Sequence, residues 1–368
     1  MSIASRLPVY VSGNTNEKSI GIYQYTFDTN TGALTSKGLA IESVNPTYLT
    51  VDKAGRNMYA VNEVDEYKGQ KSGYVSAYTR DKKTGKLKLV NEQSSGAQGP
   101  CYASTDATGS HVFVANYNGG SASLFPVKNS GSSKSNLGEI SSQIVHSKYF
   151  NATFGVPDRQ EKPHVHSIDL DPVSQKYAFS NDLGCDLLVT YNFDHQNPGS
   201  LAIHSTFKFP NGTGPRHLKF SPKNNKFAYV ISELSNEVFL LTFDYQKGTF
   251  KMLQQIDTLP KDFTGSNTAA EIDITPNGKF MYASMRGYDA ITIFEIDEWS
   301  GKLSLVGYQP TGGKHPRHFT LDPTGNFLLV GNRDTNNVVV FKINQKTGNL
   351  TQISSVSHVQ PTCVRFWD

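Results

Sequence analysis

The hydrophobic and polar positions along the chain fall into short apolar runs separated by tight turns, with one phrase recurring. A Pro opens an apolar strand, a turn rich in Gly, Asn and Asp follows, and a second apolar strand comes next. The phrase reads NPTYLTVDKAGRNMYAVNE, GPCYASTDATGSHVFVANY, PHVHSIDLDPVSQKYAFSND and GPRHLKFSPKNNKFAYVISE. It continues as TAAEIDITPNGKFMYASMR, with Ala269 in place of the Pro, and HPRHFTLDPTGNFLLVGNR. A seventh copy is split: QPTCVRFWD ends the chain and LPVYVSGN lies near its start. The residues that follow the Pro position, which Val165 occupies in the third copy, are Thr47, Cys101, His166, Arg216, Ala270, Arg317 and Thr362, spaced by 54, 65, 50, 54, 47 and 45 residues.

Each phrase is followed by an alternating strand such as GYVSAYTRD or NNVVVFKIN, then usually a Gly turn such as KTGKL, then a fourth strand. Four strands in about 45–55 residues make one propeller blade. The prediction is an all-β, seven-bladed β-propeller with four antiparallel strands per blade. The C-terminal strand pairs with the N-terminal blade and closes the ring, removing exposed sheet edges. Length alone, 368 residues, suggests two domains or more; the repeat predicts a single domain over 1–368.

Composition agrees. Charged residues are 18% and hydrophobic residues 37%, with 31 Gly, 18 Tyr and 21 Phe. This excludes a disordered chain, a nucleic-acid tail and a coiled coil. A net charge of +3 with no basic stripe argues against nucleic acid, and no amphipathic helix suggests a membrane. Cys101, Cys185 and Cys363 are too scattered for a disulfide framework, and no C-x-x-C pair exists. The N-terminus has no apolar signal region, so a cytoplasmic protein is expected. The N-x-[ST] triplets at Asn151, Asn211 and Asn349 are read as chance.

With strands A to D running outward, the A–B and C–D turns share one end of the ring. Their sequences, such as DKAGR, DATGS and the TG-x-L series, are explained by turn geometry, and none is a phosphate-binding loop. The opposite end is polar. His166, Arg216 and Arg317 start A strands, and Asn14, Glu63, Tyr117, Glu233, Arg286 and Arg333 end B strands. Seven blades thus aim charged and polar groups at one channel mouth, where a polar ligand could bind. The competing reading is that pairs such as Arg216–Glu233 are interblade ion pairs. His164 and His166, two apart on a strand, are expected on one face. A metal there would need a third ligand such as Asp182 or Glu233; no recognisable set exists, and neither a metal nor a cofactor is expected. His217 and His318 follow their arginines and are expected on the opposite face as hydrogen-bonded core residues. Cys101 is expected to be a small buried hydrophobe. The longest spacing holds the Ser-rich NSGSSKSNLGEISS, read as a solvated excursion, and then HSKYFNATFGVPDRQEKP, whose end must lie over the mouth.

KPHVHSIDLDP with DLGCDLLVTY, GPRHLKFSP with ELSNEV, AAEIDITPNGKFMYASMRG and HPRHFTLDPTGNFLLVGNRD resemble the lactonase family of seven-bladed propellers. That family holds the propeller-type 6-phosphogluconolactonases and the fungal carboxy-cis,cis-muconate cyclases. The resemblance runs over roughly residues 8 to 368. It implies active-site roles for His166, Arg216, Glu233 and Arg286. One departure is Ser232, where the family motif has Asn.

Lactone opening needs an activated water and positive charge where the oxyanion develops. Glu233 or His166 is the expected base, with Arg216 and Arg286 as charge stabilisers. Arg317 and Arg333 are expected anchors for a phosphate or carboxylate, with His164 and Glu63 also lining the substrate site. The expected partner is a small anionic substrate, a phosphorylated sugar lactone or a carboxylated muconate. The oligomeric state is left open. Hydrolysis of 6-phosphogluconolactone is the leading expectation, with the muconate cyclase and a non-catalytic binding propeller as alternatives.

Overall fold

Each recurring phrase folds into the first two strands of an antiparallel sheet. In the first, Pro46–Val51 pairs with Asn57–Asn62, which pairs with Tyr74–Arg80 and then Leu87–Ser94. The computed structural model describes residues 4–128, 138–141, 145–148, 155–196 and 201–367, the side chains of 145–148 excepted. Within them are seven such sheets, called here blades I to VI in the order of the phrases and VII for the split copy. In blade VII the C-terminal Pro361–Phe366 pairs antiparallel with Arg6–Gly13, followed by Gly21–Asp28 and Leu34–Glu42. The predicted pairing of the chain's two ends is therefore present.

The strands gather into two compact units. One comprises Met1–Leu39, Arg216–Asp244 and Phe250–Asp368 and carries blades IV to VII; the other, Ala40–Pro215 and Tyr245–Thr249, carries blades I to III. In the first unit the core lies between successive sheets. Tyr229, Ile231, Val238 and Leu240 of blade IV meet Ile272, Met281 and Met285 of blade V, and Phe327, Leu329 and Val338 of blade VI meet Val9, Val11 and Phe27 of blade VII. In the second unit, Tyr48 packs on Tyr102 and Phe113 on Phe193.

One sequence expectation changes, that of the turn glycines, and the third strand's alternation is explained. The third strand alternates in sequence but is buried on both faces, as in Tyr74–Arg80 and Asn337–Ile343, because its small residues such as Ser76 and Ala77 also face a neighbour. The C–D turn glycines do more than turn. Gly301 has φ 70° and Gly348 φ 73°; a Cβ at either would come within 2.7 Å of the Phe227 ring or 2.5 Å of the Phe280 ring of the preceding blade. Their carbonyls accept the hydroxyls of Tyr229 and Tyr282. Each turn thus clasps the blade before it, which only glycine permits.

Most of the Ser-rich stretch, and Asn151, lie outside the described residues. Its described end is no solvated excursion. Glu139–Ile140 pairs with Val127 and Lys128, Ile140 is fully buried, and Asn91 both donates to its carbonyl and accepts from its N–H. No helix among the described residues is long and apolar enough to cross a membrane.

In the first unit, Glu271 sits between two buried imidazoles. His217 Nδ1 is 3.0 Å from its Oε1 and His318 Nε2 3.4 Å from its Oε2. Burial holds His217 at a pKa of about 4 and His318 at about 3, against the attraction of Glu271. The unfolded chain, with ordinary imidazoles, therefore binds more protons below pH ~6.5, so stability is full above that pH and falls towards pH 4. The loss is expected to be on the order of 1 kcal/mol per pH unit for each imidazole. Urea unfolding at pH 7 and pH 5 checks this: a His318→Asn variant should show a shallower dependence, and an unchanged slope would remove the assignment.

Candidate active site

The residues that open the A strands owe their direction to a β-bulge. The register slips between Pro46 and Tyr48, Pro100 and Tyr102, Val165 and Ser167, and Pro316 and His318, so Thr47, Cys101, His166 and Arg317 are the extra residues of the bulges. The Pro supplies no N–H, and a bulge re-aims its extra side chain. The period of two does not hold across this point. Arg216 NH1 lies 3.3 Å from His217 Nε2, so these neighbours share a side, against the opposite-face expectation. The hydrogen-bonded, buried state expected of His217 and His318 is found.

In the first unit the arginines and the carboxylate meet. Arg216 follows Pro215 at the start of strand A of blade IV, and Glu233 follows strand B, Phe227–Ser232. Arg216 Nε donates to Glu233 Oε2 at 2.9 Å, and Arg286 NH2, from the end of Phe280–Arg286 in blade V, reaches the same oxygen at 3.1 Å. The Arg216–Glu233 pair is thus within one blade, and the Arg286–Glu233 pair joins two. Strand A of blade V is also irregular, between Ala269 and Ile272, and its carbonyls turn to the guanidiniums. Ala270 O accepts from Arg216 NH1 at 2.7 Å, and Ala269 O and Thr268 O accept from Arg286 at 2.8 and 3.2 Å. All three charged side chains are buried. Such fixed guanidiniums need no reorganisation to meet a developing anion.

The surplus here is positive. Burial pushes Arg286 down to about 9, opposed by Glu233 and aided by Arg216 and Arg317, so it stays charged near neutrality. His315 is held at about 3 by burial and by Arg286, Arg333 and Arg317, against the pull of Asp334. Arg317 is half-buried, and Arg333 Nε donates to Asp334 at 2.7 Å. Two arginines on one carboxylate, with the charge of Arg317 acting on Arg286, suit an anionic ligand. Ser232, the family's Asn position, bonds Ser235 at 2.6 Å and accepts from the Glu237 N–H.

The second unit holds the remaining candidates. His166 is buried, with Tyr117 edge-on at 5.4 Å. His164 stacks on the same Tyr117 ring at 4.4 Å, and its Nδ1 and Nε2 lie 3.0 and 2.9 Å from Tyr117 O and Glu161 Oε1. Both its ring nitrogens are engaged, and Asp182 meets its backbone N–H rather than its imidazole, so the weighed histidine metal set does not form. Glu63 accepts the Thr47 hydroxyl at 2.6 Å, the same A-start to B-end meeting as Arg216 with Glu233.

Several residues escaped the sequence reading. Cys101 Sγ stands 3.8 Å from His166 Nδ1 and 3.5 Å from His166 O; the expectation of a plain buried hydrophobe missed that both open neighbouring A strands. Arg159 donates to the Tyr117 hydroxyl at 3.0 Å and Glu161 meets His164, which brings the end of the long insertion to these histidines. Glu271 had a usable signal: it follows Ala270 as His217 follows Arg216 and His318 follows Arg317.

The sequence profile described as "Lactonase, 7-bladed beta-propeller" matches residues 8–366. The chain is 38% identical over 358 residues to the 6-phosphogluconolactonase of Bacillus subtilis (strain 168), covering 97% of both. It is 33% identical over 318 residues to the 6-phosphogluconolactonase of Formosa agariphila, covering 85% of this chain and 86% of that one. Among solved structures, the periplasmic gluconolactonase of Pseudomonas aeruginosa superposes with a TM-score of 0.90 at 29% identity, over 99% of each chain.

Proposed function

The chain belongs to the lactonase family of seven-bladed β-propellers, and from that membership we propose that it hydrolyses 6-phosphogluconolactone to 6-phosphogluconate. The observation that carries the choice of a phosphorylated substrate is the excess of positive charge: Arg216 and Arg286 share the one carboxylate of Glu233, and Arg317 stands close enough to Arg286 to lower its pKa. Water adds to the lactone carbonyl, the carbonyl oxygen becomes an oxyanion, and the ring C–O bond breaks as the ring oxygen takes a proton. Arg216 and Arg286 supply positive charge to the oxyanion. Glu233, placed by both, takes the proton of the attacking water and returns it to the leaving oxygen. Arg317 binds the 6-phosphate, where a guanidinium fork matches the phosphoryl oxygens.

The test is hydrolysis corrected for the spontaneous reaction, with 6-phosphogluconolactone, unphosphorylated gluconolactone and 3-carboxy-cis,cis-muconate in parallel. Preferred turnover of the phosphorylated lactone is expected; conversion of the muconate alone would assign the cyclase reaction instead. Arg317→Ala should raise KM for the phosphorylated lactone by about 10- to 100-fold, the worth of one charged hydrogen-bonded contact, and leave the unphosphorylated lactone nearly unaffected. Equal effects on both would remove Arg317 from the phosphate.

A further inference from the structure

In the second unit, three side chains with metal-binding chemistry converge, none of them a residue assigned above. They are Asp106 in the A–B turn of blade II, His111 opening its B strand, and His195 just beyond Leu187–Asn192, strand C of blade III. One ligand atom from each lies within 4.8 Å of the others. Asp106 Oδ2 is 3.2 Å from His195 Nδ1 and 3.8 Å from His111 Nδ1. Tetrahedral ligands at about 2.0–2.1 Å from a zinc ion are spaced by about 3.3 Å, so small shifts would bring these atoms to coordination distance.

The aspartate alone has an ordinary explanation. Its Oδ1 accepts from the His111 N–H at 2.8 Å, and its Oδ2 from the hydroxyls of Ser110, at 2.9 Å, and Thr108. Asp52 does the same work in blade I, accepting from the N–H groups of Arg56 and Asn57. His111 shares part of that explanation, because its ring hydrogen-bonds Asp106, but His195 has none. Where blade II has His111, blade I has Asn57, whose amide donates to Asp52 at 3.1 Å and completes the turn. His195 Nδ1 is buried and makes no hydrogen bond, although a carboxylate oxygen stands 3.2 Å away. Its unused nitrogen is aimed into the cluster. His111 Nδ1 has the Ser110 hydroxyl at 3.2 Å, which a bound ion would displace or recruit.

The surroundings hold the rings in place. Phe193 packs edge-on against His111 at 5.3 Å and His195 at 4.6 Å, and Phe113 supports Phe193 at 5.0 Å. Asp106 and His111 are buried, while the His195 side chain is 34% exposed and leaves a path from solvent. Two imidazoles and one carboxylate with an apolar wall and one open side suit a borderline-soft divalent ion.

We propose that Asp106, His111 and His195 form a binding site for one zinc ion, which clasps the blade II turn to the end of strand C in blade III. The site serves stability and takes no part in lactone hydrolysis. Untagged full-length protein, stripped with a chelator, would be titrated with zinc sulfate against a chromogenic competitor. Uptake of one equivalent is expected, with a rise in the thermal midpoint. His195→Ala and His111→Asn, the latter installing blade I's own residue, should each weaken uptake at least tenfold while metal-free hydrolysis is unchanged. No stoichiometric uptake by the unmodified protein would overturn the proposal, as would uptake that survives both substitutions, which would be adventitious binding elsewhere. The readout is the metal itself, so either failure leaves the lactonase reading intact.

Discussion

Glu233→Gln is expected to lower kcat for lactone hydrolysis by about 10²- to 10⁴-fold, the span of a lost general base. The amide keeps the volume and one carbonyl acceptor for Arg216 and Arg286, so the site stays filled. What disappears is the charge that holds two buried guanidiniums by a single oxygen and the capacity to accept a proton. Glu233→Ala is the poorer experiment. It would strand two buried cations and cost about 3–5 kcal/mol in stability, confusing lost catalysis with lost fold. The split between parameters separates two roles. A base that acts on water lowers kcat and leaves KM within a few-fold, whereas a carboxylate that only positions the arginines raises KM for an anionic substrate. We expect the first pattern; a folded Glu233→Gln protein with unchanged kcat would exclude Glu233 from the chemistry.

Deleting residues 361–368 is expected to abolish cooperative folding. Pro361–Phe366 supplies the first strand of blade VII, with Val364 opposite Val11 and Phe366 opposite Val9. Cys363, Val364 and Trp367 are buried to within 1%, Trp367 packs on Tyr10 at 5.6 Å, and its N–H donates to Pro8 O. Burying one large apolar side chain contributes about 1.5–3 kcal/mol, so losing several at once consumes most of an ordinary stability of about 5–15 kcal/mol. The deletion also bares the edge of Arg6–Gly13, an invitation to aggregate. Soluble yield and a urea or thermal transition check this, and a truncated protein with the full-length midpoint would show that the strand is dispensable.

Much of the architecture was legible in the repeat. The Pro-opened phrase marked two strands of every sheet, and the split copy predicted which strand pairs the chain's two ends. The alignment of A-start and B-end positions also held in space, since Arg216 meets Glu233 and Thr47 meets Glu63. It stopped short where side-chain direction was inferred from a strict period of two. Bulges at the starts of several A strands break that period, and His217 lies beside Arg216 rather than away from it. Cys101 and His166 came together because equivalent positions of adjacent blades are neighbours, a relation that spacing along the chain hides.

The number of blades, the strand order within each and the positions where charge gathers are all encoded locally along the chain. They can be, because they depend on local turn chemistry and on apolar runs that must be covered on both faces. Tertiary structure alone decided which charges share an oxygen, which imidazoles stay neutral, and which nitrogen, at His195, is left without a hydrogen bond. Those outcomes depend on burial and on distances of a few ångströms between segments far apart in the chain. At that scale, desolvation and one shared partner outweigh anything the local sequence encodes.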